Sequence, residues 1–98
     1  MMTIEEIALK VRSNGNDNKN MLKTMEEASE FIQVCSKYLF AKENGVDEKK
    51  LELLLTEVDK ERCDLENTLV TLGDYFVLTD LEAMGYRIKN MSKHLKGD

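Results

Sequence analysis

Proline and tryptophan are absent from this 98-residue chain, histidine occurs once, cysteine twice and glycine five times. Without proline nothing in the chain obliges a helix to break. Val, Ile, Thr and the aromatic residues do not gather in alternating runs, so no segment reads as a strand. Two cysteines, Cys35 and Cys63, are too few and too far apart for a disulfide framework or a CxxC site. The single histidine, His94, lies among lysines near the C-terminus, where a solvated side chain at a helix end is expected rather than a catalytic one. No stretch approaches the roughly 18 apolar residues that span a bilayer, and the N-terminus has no signal-peptide core. A cytoplasmic protein with free thiols and no membrane partner is expected. Base is also short: the net charge is −5, which argues against an extended nucleic-acid surface. No phosphate-cradling glycine motif and no zinc spacing occurs.

What is present is 42% hydrophobic and 34% charged residue, a globular balance, in a length that suits one domain over residues 1–98. Thr3 and Glu6 form a capping-box pattern ahead of Ile4, Ile7, Ala8 and Val11, which predicts a short first helix. Ser13–Asn18 reads as a loop. From Asn20 the residues Met21, Met25, Ala28, Ile32, Cys35 and Leu39 recur at helical spacing, and Asn44-Gly45 ends that helix. Asp47 caps a third helix whose apolar positions run from Leu51 to Phe76, with Gly73 as its weak point. Thr79-Asp80 starts a fourth, striped by Leu81, Met84, Ile88, Met91 and Leu95. The expected architecture is all-α: an antiparallel bundle of three longer helices with a short N-terminal one.

Two acidic pairs interrupt these stripes. At roughly 100° per residue, Glu27 falls inside the apolar arc of its helix, Glu30 on the rim and Glu26 on the far side. In the third helix Glu61 takes the edge of the arc, with Asp64 one turn on and Arg62 inside it. Spacing alone means little among 19 acidic residues. Placement means more, because charge beside an apolar stripe costs several kcal/mol unless compensated. A hard divalent cation such as Mg²⁺, which takes carboxylate oxygens and keeps some waters, would compensate it. Solvated faces or ion pairs with Arg62 and nearby lysines are the other reading. Arg62 itself either pairs with an acid across a subunit interface or reaches a substrate phosphate.

Glu26-Glu27-Ala28-Ser29-Glu30 followed by Glu61-Arg62-Cys63-Asp64 resembles the EExxE…ExxD signature of the MazG-like, all-α nucleoside triphosphate pyrophosphohydrolases. The text MLKTMEEASEFIQVCSKYL is similar to that family's first motif helix. The resemblance covers about Asn20–Leu39 well and Val58–Leu72 less closely. It departs at Lys60, where another glutamate is common, and at Arg62 and Cys63, where small apolar residues are common. It implies an Mg²⁺-dependent cleavage of a nucleoside or deoxynucleoside triphosphate to monophosphate and pyrophosphate. It implies Glu27, Glu30, Glu61 and Asp64 as catalytic metal ligands, with Glu26 in support and a homodimer or homotetramer as the assembly. Arg62, Arg87, Lys89 and Lys93 are the candidates for substrate phosphates. The contrasting expectation is a non-catalytic helical interaction module on the same scaffold.

Overall fold

In a computed structural model, which describes residues 1–14 and 17–96, every regular element is helical. Helix α1 spans Ile4–Asn14, α2 Asp17–Glu43, α3 Glu48–Thr71 and α4 Asp80–Ser92, with 3₁₀ turns at Gly73–Tyr75 and Lys93–Lys96. No helix among the described residues is long and apolar enough to cross a membrane.

Local chemistry sets the ends. The Glu6 amide donates to Thr3 Oγ1 at 3.1 Å, starting α1. Gly45, at φ 70°, closes α2 in the left-handed region that glycine enters without strain. Asp47 then accepts from the Lys50 amide at 2.9 Å, so α3 starts within a few residues of the end of α2. At α4 the capping box is complete: the Glu82 amide donates to Thr79 Oγ1, and the Thr79 amide donates to Glu82 Oε1. Hydrogen bonds to the Glu82 carboxylate, first from the Thr79 amide and then from the Thr79 side chain, hold it below its ordinary value of 4.5.

Helices α2 and α3 pack antiparallel along most of their length. Their half-buried or buried positions follow a heptad rhythm: Asn20, Thr24, Glu27, Phe31, Val34, Tyr38 and Ala41 on α2 meet Leu51, Leu54, Val58, Glu61, Leu65, Thr68 and Leu72 on α3. This seam has the alternating three- and four-residue step of left-handed helix pairs. It is not the stripe that is most apolar in the sequence of α2. Met25 and Ile32 are 61% and 64% exposed, and Met21 and Leu39 are exposed as well. The expected apolar arc of α2 is therefore covered on one side only: Phe31 and Val34 lie in the seam, Ala28 and Cys35 are half-buried, and the side with Met21, Met25, Ile32 and Leu39 is uncovered.

Two boundaries differ from expectation. Ser13 and Asn14 continue α1, and Asp17 and Asn18 already belong to α2, where a loop was expected; residues 15 and 16 lie outside the described residues. Turn-forming residues are tolerated at helix ends, where backbone groups lack helical partners anyway. Helix α3 stops at Thr71 rather than running to Phe76. It stops just before Gly73, the expected weak point, where a 3₁₀ turn takes over. Arg12 of α1 bonds that end, its guanidinium donating to Thr71 O at 2.7 Å and Val70 O at 2.9 Å, which fastens α1 to α3 with the cation beside the negative end of the helix dipole.

Helix α4 stands apart, packing to any extent only against the 3₁₀ turn that continues it. Leu81 is 80% exposed and Leu95 86%, and Met84, Ile88 and Met91 are exposed with them. The radius of gyration is 17.0 Å, against about 13 Å for a compact chain of this length. The accessible surface is 8335 Å², against roughly 5,700 Å² for a compact monomer of this mass.

Replacing Arg12 by Ala is expected to lower stability by about 1–2 kcal/mol and to deprotect the α1 amides first. Urea denaturation and hydrogen exchange check this; an unchanged midpoint with α1 still protected would mean another contact holds the helix.

Candidate metal centre

Apart from Asn20, Thr24 and Thr68 at one end, the heptad seam is apolar except at its middle. There α2 contributes Glu27 and α3 contributes Glu61, the two acidic residues of the seam. With Asp64 on the adjoining flank of α3, one carboxylate oxygen from each residue lies within 4.8 Å of the other two. Glu27 is 7% exposed. Its Oε1 accepts from Lys23 Nζ at 3.0 Å. Its Oε2 and Glu61 Oε2 are both buried without a hydrogen-bond partner.

An unsatisfied buried carboxylate oxygen is unfavourable, and two on neighbouring carboxylates compound the desolvation cost with like-charge repulsion. Lys23 offsets part of this from one side. It also reaches Glu26 Oε2 at 3.5 Å, and its proton affinity is raised first by the Glu27 bond and then by the charges of Glu26 and Glu27. The sequence signal for Lys23 was its i,i+4 spacing to Glu27, which the acidic motif overshadows. Glu30 lies one turn along. The charge on Glu27, partial burial and the charge on Glu61, in that order, raise its carboxyl above the ordinary value of 4.5. Oxygen donors only, converging from three carboxylates with two orphaned atoms, are a donor set that fits a hard divalent ion.

Of the residues singled out in the sequence, Glu27, Glu61 and Asp64 come together, with Glu30 close enough to feel their charge. Glu26 is exposed and touches the cluster only through Lys23. Arg62 does not join it. Its guanidinium donates to Asp59 Oδ1 at 2.7 Å and Glu66 Oε2 at 2.9 Å, both on α3. That ridge is about 160° around the helix from Asp64, so within one chain Arg62 meets neither a phosphate at the cluster nor an acid of another helix. Those two bonds raise its already high proton affinity further. Arg87, Lys89 and Lys93 are carried by α4 and the turn after it, away from the α2–α3 seam. Cys35 is half-buried in α2 and Cys63 is exposed beside Arg62.

No family model, curated protein or solved structure matches the chain.

The charge crowding has a pH signature. The folded state binds a proton at Glu30 more tightly than the unfolded state does, so stability falls as pH rises from 4.5 through the raised folded-state value. Glu82 works in the opposite sense, its contribution being lost as pH falls through its lowered value. In metal-free buffer the difference between wild type and Glu30→Gln isolates the Glu30 component: urea midpoints should show the variant gaining on the wild type above that window. Parallel curves would contradict the crowding.

Proposed function

We propose that this chain is an Mg²⁺-dependent nucleotide pyrophosphohydrolase of the MazG-like all-α type, cleaving a nucleoside or deoxynucleoside triphosphate to the monophosphate and pyrophosphate. The observation that carries the reading is the pair of buried oxygens, Glu27 Oε2 and Glu61 Oε2, that have no hydrogen-bond partner among the described residues, on carboxylates that approach each other and Asp64 within 4.8 Å. A seam built only for stability would place aliphatic groups there.

In this reading Glu27, Glu61 and Asp64 hold the ion. When bound, Mg²⁺ screens the phosphate charge and favours the departure of pyrophosphate. Glu30, whose affinity for a proton is raised, accepts the proton of the attacking water. One water is consumed: its hydroxyl oxygen ends on one phosphorus, and the α–β bridging oxygen stays with the other. Lys23, one turn from Glu27, keeps that carboxylate oriented through Oε1 and leaves Oε2 for the ion. Glu26 supports the centre by sharing the same ammonium.

The assembly belongs to the same proposal. An excess of roughly 2,600 Å² over a compact monomer far exceeds the roughly 800 Å² per partner that a stable interface buries. The uncovered stripe of α2 and the apolar face of α4 are continuous helix faces of the kind that a second copy covers in a homodimer or homotetramer. The same exposed faces favour the second reading, a helical interaction module without turnover, and the two readings separate by assay.

Pyrophosphate release is expected from at least one triphosphate in a panel of ribo- and deoxyribonucleotides with Mg²⁺, and Glu61→Ala should reduce it by a factor on the order of 10² or more. Release from none would leave the interaction module. In sedimentation the wild type should run as two or more times 11.3 kDa, and Ile88→Glu should shift it toward the monomer; a wild-type monomer would contradict the assembly.

A further inference from the structure

A cavity of about 370 Å³ opens between α1 and the α2–α3 pair, at the end of the seam nearest Lys23. Its walls are aliphatic: Ile7, Ala8 and Val11 of α1 form one side. Its polar points come from the other two helices, chiefly Asn20 of α2 and Asn67 of α3. Asn20 is 9% exposed, yet no hydrogen bond is made by its carboxamide, or by that of Asn67, among the described residues. Neither amide is shut off from solvent, and each offers unused donors and an acceptor beside an apolar wall, which suits a ligand that presents a flat apolar face and a hydrogen-bonding edge together.

One side chain links the cavity to the metal centre. Lys23 lines the cavity while its ammonium bonds Glu27. Asn67 follows Asp64 by one helical turn, on the same face. Going from Glu27 back to Asn20 covers two turns, roughly 10 Å along α2, the scale on which a sugar separates a base from its phosphates. The volume lies at the lower end of the range of small-molecule sites.

We propose that this cavity receives the nucleoside moiety of the substrate: the base lies against Ile7, Ala8 and Val11, its edge is read by the carboxamides of Asn20 and Asn67, and the phosphates extend past Lys23 to the carboxylates. The proposal rests on the pyrophosphohydrolase reading for the phosphate end. It assigns α1 a role in base selection, and it makes the Arg12 bonds to Val70 and Thr71 the fastening that fixes the width of the slot.

The test uses the full chain with Mg²⁺ and the monophosphates AMP, GMP, CMP and UMP with their deoxy counterparts, followed by calorimetry and amide NMR. At least one should bind and shift the signals of residues 7–11, Asn20 and the Asn67 side chain. Val11→Trp, which fills the slot from a half-exposed position, should weaken that binding about tenfold or more, and Asn67→Ala should change the ratio of affinities among the bases. Both variants should keep the wild-type rise in melting midpoint with Mg²⁺, which shows that the fold and the metal centre are intact. Binding that leaves α1 unshifted, affinities unmoved by Val11→Trp, or no binding to the wild type would each overturn the proposal. So would a Val11→Trp effect confined to oligomeric state, since the slot would then hold a second copy. Nucleotide binding at α1 without pyrophosphate release would overturn the catalytic reading and not this one; release with Val11→Trp affinities unmoved would do the reverse.

Discussion

Two glutamates occupy the middle of a helix–helix seam, and much of the rest of the molecule is arranged around that fact. In the heptad rhythm Glu27 stands between Thr24 and Phe31, and Glu61 between Val58 and Leu65. Each removes apolar contact from an already thin interface and adds charge to it. Lys23 neutralises one oxygen of Glu27, while Oε2 of Glu27 and Oε2 of Glu61 have no hydrogen-bond partner among the described residues. A chain of this size has little stability to spare, so a defect of this kind at the centre of its best-packed pair points to use. A divalent ion is the simplest group that converts it into a favourable arrangement.

The surrounding elements follow from the same economy of core. Among the described residues only Ala8, Ala41 and Leu72 are buried apolar side chains. Arg12 therefore carries a large share of the attachment of α1, by charged hydrogen bonds to the end of α3 rather than by packing. Helix α4 keeps its capping box but not a partner. Its exposed Leu81, Met84, Ile88, Met91 and Leu95, with the second stripe of α2, are surface that a lone chain leaves in water, and on this account association of copies completes the fold.

Much of this was legible in the sequence, and the parts that were not share a reason. The all-helical class, the Gly45 stop and the Asp47 and Thr79 caps depend on neighbours within a few residues, which spacing reveals; the convergence of Glu27 with Glu61 and Asp64 joins two helices, and its signal was the placement of acids on both apolar arcs. Helical phase placed Glu27 inside the apolar arc of α2 beside Phe31 and Val34, and the seam runs there. Which half of that arc pairs was not legible, because it depends on α3: the half with Met25 and Ile32 faces outward, and Glu61, expected at an arc's edge, lies in the seam. The break near Gly73 was legible, but the bonds of Arg12 to the end of α3 were not, because Arg12 lies 59 positions from Thr71. The ladder of Arg62 to Asp59 and Glu66 depends on side-chain choice along one helix face, and the separation of Arg87, Lys89 and Lys93 from the cluster depends on how α4 leaves the other helices.

The central claim is that the seam glutamates hold a divalent ion. Paramagnetic Mn²⁺, a stand-in for Mg²⁺ with the same oxygen preference, tests it directly when titrated at substoichiometric amounts into ¹⁵N-labelled protein. The account predicts that amide signals around Glu27, Glu30, Glu61 and Asp64 broaden first, that those of α4 follow much later, and that Mg²⁺ in excess restores them. Broadening spread evenly over the exposed acidic residues, with the middle of the α2–α3 seam no more affected than Asp59 or Glu66, would contradict it.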